Sequence, residues 1–220
     1  MIFSDQLRKL GARFIEWALA NDFRSRVFTG MILDPPKRKR VPLFGETIEL
    51  NVPNTLVGSF VQPRSKGEPI SFERRELETM RFLSTTLRDN DVFYDIGANI
   101  GIYVLLADKF ANLTQTVALE PEALNFAELC SNIYMNGLET VIALPIAAGA
   151  SSALEPYHLR TFAAGNHSGV FKTYPTAESI WKRPETFAQG YRQFMTVMRL
   201  DDVIDMAGLK PPNVILMDID

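Results

Sequence analysis

The sequence predicts an α/β protein built on a doubly wound parallel sheet, and three observations carry that prediction. The first is Val92-Phe-Tyr-Asp-Ile-Gly-Ala-Asn-Ile-Gly101, an apolar run that stops on an acid and opens through two glycines into an apolar helix. The second is Thr116-Val-Ala-Leu119, a further apolar run that also ends on an acid, Glu120. The third is the alternation of such runs with segments of helical period, which argues for parallel strands joined by crossover helices.

Residues 1–70 read as an appendage of helix and β-hairpin, and residues 71–220 as the main domain. Leu7, Leu10, Phe14, Ile15 and Ala18 recur at helical spacing, so Leu7 to Ala20 forms one apolar stripe suited to docking on the main domain. Arg8, Lys9 and Arg13 give it a mildly basic side, which leaves a membrane-surface or partner-binding helix as the alternative. Asp34-Pro-Pro-Lys-Arg-Lys-Arg40 reads as a turn followed by a solvated basic loop, with contact to an anion as the sharper reading. Its Asp-Pro-Pro is similar to the site of amino-methylating nucleic-acid enzymes, but it precedes the first strand where such a site should follow the fourth. Residues 41–63 alternate short apolar runs with turn residues and read as a β-hairpin element.

A helix is expected over Ser71 to Leu87, where Leu77, Met80, Leu83 and Leu87 recur every three or four positions before the break Arg88-Asp-Asn-Asp91. Gly101 to Ala111 is apolar on nearly every side, as a helix buried between sheet and neighbours must be. After Glu120, Leu124, Ala127, Leu129 and Ile133 mark a helix that stops at Asn136-Gly137, followed by a strand over Val141 to Ile146. Periodicity fades over 150–194, which is expected to be a substrate loop. Met195 to Leu200 then reads as a strand, with Asp201-Asp202 capping a short helix. The closing run Val214-Ile-Leu-Met-Asp-Ile-Asp220 has a strand pattern with no turn or polar tail after it. On this reading the sheet is truncated after its fourth core strand.

The chemistry concentrates at the first two strand ends. A side chain at the carboxyl end of a buried parallel strand faces the crevice where open α/β sheets bind ligands, and Gly97 and Gly101 let the backbone turn and approach a ligand closely. The helix start suits an anionic group, while Asp95 suits a cationic one. Glu120, at the next strand end, is placed to accept hydrogen bonds from ribose hydroxyls. A nucleoside with an amino-acid tail satisfies all three. The spacing Gly-x-x-x-Gly, with an acid two residues ahead, departs from the Gly-x-Gly-x-x-Gly of dinucleotide sites, which places NAD second.

Asp95-Ile-Gly-Ala-Asn-Ile-Gly101, Glu120-Pro121, Asn132 through Asn136-Gly137 and the ending Val214 to Asp220 together resemble the FkbM-type family of S-adenosylmethionine-dependent methyltransferases, over residues 70–220. The resemblance implies a Rossmann-like methyltransferase sheet and transfer of a methyl group to a hydroxyl of a saccharide or other small natural product. Carried residue by residue, it places S-adenosyl-L-methionine on Asp95, Gly97, Ala98, Asn99, Gly101, Glu120 and Pro121. The family's last strand continues Asp-Val-Glu-Gly, whereas this chain stops at Asp220.

A hydroxyl acceptor needs a base near the strand ends. The two histidines, His158 and His167, both fall in the presumed substrate loop, and His167 and Asp220 are the candidates for that role. A metal pair of Asp218 and Asp220 lacks a third ligand, and no metal is assigned. The net charge of −3 gives no global field for nucleic acid, and the resemblance implies a small-molecule or saccharide acceptor. Cys130, the one cysteine, excludes an internal disulfide and reads as a buried inert thiol. With 46% hydrophobic residues, no transmembrane run and no signal-peptide pattern, a cytoplasmic globular protein is the expectation, and the acceptor sequences at Asn112 and Asn166 then carry no glycan. An NAD-dependent oxidoreductase and an inactive cofactor-binding fragment stand as the alternatives.

Overall fold

The computed structural model describes residues 38–52, 57, 75–159, 164–165, 170–171 and 191–219, all within the compact unit Arg38–Asp220. The expected helix over Leu7 to Ala20, the hairpin's Leu56 to Val61 apart from Val57, His167 and Asp220 lie outside the described residues.

Two strands, β1 (Arg38–Leu43) and β2 (Glu46–Asn51), form an antiparallel hairpin. The basic run is therefore not a loop. Arg38, Lys39 and Arg40 open β1 as exposed residues, and Val41 and Leu43 bury the rest of the strand. Cross-strand pairing explains the difference, because Arg40 sits opposite Glu49 and its Nε lies 3.3 Å from the carboxylate.

The main sheet follows from four apolar runs. Helix α1 (Leu77–Thr86) leads to β3 (Val92–Ile96), α2 (Ile102–Phe110), β4 (Gln115–Leu119), α3 (Ala123–Met135) and β5 (Val141–Leu144). Near the end, α4 (Leu200–Ala207) leads to β10 (Val214–Met217). These strands lie in the order β10-β3-β4-β5, all parallel. Strand β3 is buried at every position, as a central parallel strand must be.

Alternation along β3 sends its side chains to two apolar clusters on opposite faces. Phe93 joins Met80, Leu83, Val104, Leu105 and Leu129, from α1, α2 and α3. Val92 and Tyr94 join Val203 of α4 and Leu209. Helices thus cover both faces, and the sheet is doubly wound and Rossmann-like. The hairpin's Leu43, Ile48 and Leu50 share the first cluster.

Between β5 and α4 the described residues of the expected loop over 150–194 include strands, and the rest of that span lies outside the described residues. Strands β6 (Ala147–Ala148), β7 (Ala153–Leu159), β8 (Val170–Phe171) and β9 (Tyr191–Met198) form a second sheet, ordered β6-β9-β7-β8. His158 is on β7, not in a loop. Pro156 and the scattered polar residues hide the period-two signal of β7. Four smaller differences follow. Strand β9 starts at Tyr191 and ends before Leu200, which opens α4. Asp201 and Asp202 lie in the first turn of α4 behind an Arg199 cap, where they complement the helix dipole without capping it. Leu77 is exposed at the start of α1. Cys130 is half-buried, and burial raises its thiol pKa.

Among the described residues, no helix is long and apolar enough to cross a membrane, and no group of three or more His, Cys, Asp or Glu side chains could hold a metal ion.

Candidate functional site

Chain order and sheet order diverge at β3. The chain next enters β4 on one side, while β10, much later in sequence, lies on the other. Such a switch point leaves a crevice beyond the carboxyl ends of the strands. Asp95 is the fourth residue of β3, in register with Leu216 of β10 and Ala118 of β4, so the loop after it opens into that crevice.

The loop from Gly97 to Gly101 is held by hydrogen bonds of its own backbone. The N–H groups of Gly97 and Ala98 both donate to the carbonyl of Leu119, each at 2.9 Å, which ties the loop to the end of β4. Gly97 has φ +89°, and a Cβ built there would run into the backbone carbonyl of Asp218. Only glycine lets the end of β3 and the end of β10 approach this closely. At Gly101, φ is +87° and a Cβ would meet Leu129 Cδ1, so α2 starts tight against α3. Asn99 takes φ +50°, and its side-chain oxygen accepts from Ile100 N–H at 2.8 Å, the local bond that lets asparagine hold a left-handed conformation.

Asp95 is wholly buried, and neither of its carboxylate oxygens has a hydrogen-bond partner. Burial, then the neighbouring Asp218 and Glu120 carboxylates, push its pKa up to about 8. An unpartnered carboxylate is costly in a protein interior, and a cationic ligand group would satisfy it.

Glu120 sits differently. One oxygen accepts the Asn99 N–H at 2.8 Å and the other the Glu122 N–H at 2.8 Å. Burial pushes this acid up to about 7, against the lowering effect of those two N–H bonds and of Asn125. Glu120 therefore staples the β3 loop to the β4 loop. Each carboxylate oxygen has a second lone pair, so capacity for hydroxyls remains.

The structure thus brings Asp95, Gly97, Ala98, Asn99, Gly101, Glu120 and Pro121 together at adjoining strand ends. Strand β10 stops at Met217, so Asp218 follows the strand and does not alternate along it; its N–H donates to Ile96 at 3.0 Å.

Several residues that shape the site lie outside the cofactor residues assigned from the sequence. The Glu122 side chain caps α3 by accepting from Leu124 and Asn125 N–H. Asn132, wholly buried, donates to the carbonyl of Ile100 at 2.8 Å and accepts from Asn51 N–H at 2.8 Å, joining loop, α3 and hairpin. Gln193 of β9 donates to the Pro121 carbonyl at 2.8 Å and accepts from Ala123 N–H at 3.2 Å, so the second sheet clamps the turn after Glu120. A Glu two residues after Glu120, at a helix start, is a sequence signal for Glu122, and Asn132 opens the Asn132 to Gly137 segment of the resemblance, while Gln193 has no such mark.

No family model and no curated protein matches the chain. Solved structures do. The chain is similar to methyltransferase FkbM from Methylobacillus flagellatus at 15% identity and TM-score 0.39, covering 76% of this chain and 40% of that one. It is similar to TYW2 of M. jannaschii, solved in complex with AdoMet, at 20% identity and TM-score 0.35, covering 51% and 45%. Likeness to the precorrin-6y C5,15-methyltransferase of Geobacter metallireducens is 18% identity and TM-score 0.30, covering 38% and 43%. The chain spans less than half the length of each of these three proteins.

Proposed function

We propose that the chain binds S-adenosyl-L-methionine and is a methyltransferase acting on a hydroxyl of a saccharide or other small natural product. One observation carries the reading: a wholly buried, unpartnered carboxylate, Asp95, stands at the switch point of a parallel sheet beside a bend that only glycine permits. That combination asks for a ligand with a cationic group close to backbone. When bound, the cofactor supplies an electrophilic methyl group on a sulfonium.

The residues divide the work of holding such a ligand. Asp95 faces its positive charge, while the bend from Gly97 through Ala98 and Asn99 to Gly101, whose own N–H groups are held by Leu119, Glu120 and Ala98, forms a fixed wall beside it. Glu120, already fixed by the Asn99 and Glu122 N–H groups, offers its remaining lone pairs to ribose hydroxyls, and Pro121 continues the same wall. Rigid placement is the enzyme's main contribution to a displacement reaction, because reacting atoms must be held near attack geometry. The hydroxyl acceptor rests on the resemblance of the loop and strand-end motifs. His167 and Asp220 keep the candidacy for the base such an acceptor requires.

Calorimetry of the full chain with S-adenosylmethionine, S-adenosylhomocysteine and NAD tests the proposal. Binding of either methionine nucleoside, with NAD at least about tenfold weaker (~1.4 kcal/mol), is the expected result. Binding of NAD alone would replace the proposal with an oxidoreductase, and binding of none would leave an inactive fragment.

A further inference from the structure

Gln193 lies on the face of β9 that carries the buried Met195, whereas its neighbours Phe194 and Thr196 are exposed. Its side-chain amide reaches 72 residues back along the chain to Pro121, where Nε2 donates to the carbonyl at 2.8 Å. The Oε1 of the same amide accepts from Ala123 N–H at 3.2 Å. The Pro121 carbonyl and the Glu122 N–H belong to one peptide group, and that N–H donates to Glu120 Oε1 at 2.8 Å. Gln193 and Glu120 therefore hold opposite ends of a single rigid plane.

A donor on a peptide oxygen polarises the group and strengthens the bond that its N–H makes, and fixing the plane fixes where that N–H points. Glu120 is 5% exposed, a setting of low dielectric in which such a chain of bonds counts for most. A second tie runs the same way. The buried Asn125 accepts the N–H of Gly165, from the stretch between β7 and β9, at 2.7 Å, and its own N–H is held by Glu122 Oε2 at 2.9 Å. The helix start itself already has its cap in the Glu122 side chain. What Gln193 adds is a hold on the one peptide that touches the Glu120 carboxylate.

We infer that Gln193 is a positioning residue: through the peptide between Pro121 and Glu122 it holds the Glu120 carboxylate in the direction from which it accepts the cofactor's ribose hydroxyls, so that the second sheet sets cofactor affinity. This rests on the function proposed above and extends it to a residue of the other sheet. In this role Glu120 touches the cofactor and Gln193 does not.

The test is a binding cycle on the full chain at neutral pH, with S-adenosylhomocysteine and its 2′,3′-dideoxy analogue, which lacks only the two ribose hydroxyls. Wild type is expected to prefer the ligand that has them. Gln193→Glu keeps an acceptor for Ala123 but has no donor for the Pro121 carbonyl, and Gln193→Leu has neither. Each should weaken S-adenosylhomocysteine by about three- to tenfold, the range of one hydrogen bond, and the dideoxy ligand by less than about twofold. Placed on top of Glu120→Gln, either change should add less than about twofold, because residues that act through one bond are not additive. Thermal melts of all variants check that they fold. Equal loss on both ligands, an undiminished loss when Glu120 is already replaced, or no loss overturns the inference while wild-type binding still supports the function. A wild type that binds the two ligands equally overturns the inference together with the ribose role of Glu120, and one that binds neither overturns the function as well.

Discussion

Replacing Asp95 by Asn separates what this acid does for the fold from what it does for a ligand. Its pKa in the folded chain is raised from 3.8 to about 8, first by burial and then by Asp218 and Glu120. The folded state therefore keeps a proton that the unfolded chain releases, so Asp95 costs nothing below about pH 4, and stability falls as pH rises through the window up to about 8. At pH 7 about three pH units of that window have been crossed, and at about 1.4 kcal/mol per unit the ceiling on the cost is about 4 kcal/mol. Asn, like a neutral acid, still needs partners, which takes back part of that gain. A net gain of about 2 kcal/mol for Asp95→Asn at pH 7 is the expectation, or a rise of about 4–8 °C in melting temperature for a chain of this size. Urea unfolding at pH 4.5, 6, 7 and 8 measures it. The two proteins should nearly coincide at pH 4.5 and diverge as pH rises, and the variant should bind S-adenosylhomocysteine more weakly throughout. A variant less stable than wild type at pH 8, or a difference that does not change with pH, would refute a buried, unpartnered carboxyl as the origin of the strain.

Two further variants probe how the loop is held. Gly97→Ala should destabilise by about 2–4 kcal/mol, combining a left-handed backbone with a collision against the Asp218 carbonyl, and Gly101→Ala by less, because the atom it meets is the tip of Leu129. Chemical denaturation ranks the two; the reverse order would remove the close approach of β3 and β10 as the reason for glycine. Asn132→Ala strips partners from the Ile100 carbonyl and the Asn51 N–H and should cost about 2–4 kcal/mol by the same assay, against about 1 kcal/mol if the hairpin were held by apolar packing alone.

How far all this could be read from the residues depends on which force sets each piece. Buried parallel strands need continuous apolar runs, so β3 and β4 stand out, as does the apolar run of β10 although Ile215 and Met217 are exposed, and the glycines of the bend mark themselves because φ near +90° favours glycine. The β-structure of the second sheet depends on pairing between segments far apart in sequence, and Pro156 interrupts the local pattern of β7, so that sheet reads as a loop. Likewise, cations in β1 carry the signature of a solvated loop until Glu49 is found opposite Arg40. At the site, Asp95 and Glu120 are visible as acids at strand ends. Their opposite circumstances are not, since each oxygen of Glu120 accepts a backbone N–H, from Asn99 and Glu122, while Asp95 has no hydrogen-bond partner. Asn132 and Gln193 act through tertiary contacts of 32 residues or more along the chain, which no spacing rule reveals.

Leu159 and Tyr191 are direct partners at the end of the pairing between β7 and β9. Whatever joins them begins and ends at one place, like a bead hung on a ring, and closing a longer or shorter excursion there adds only about 0.6 kcal/mol per doubling of length. Because Gln193 secures that ring to the turn after Glu120, a change in the length of the excursion is borne at the pairing of β7 and β9 and leaves the order β10-β3-β4-β5 of the main sheet untouched.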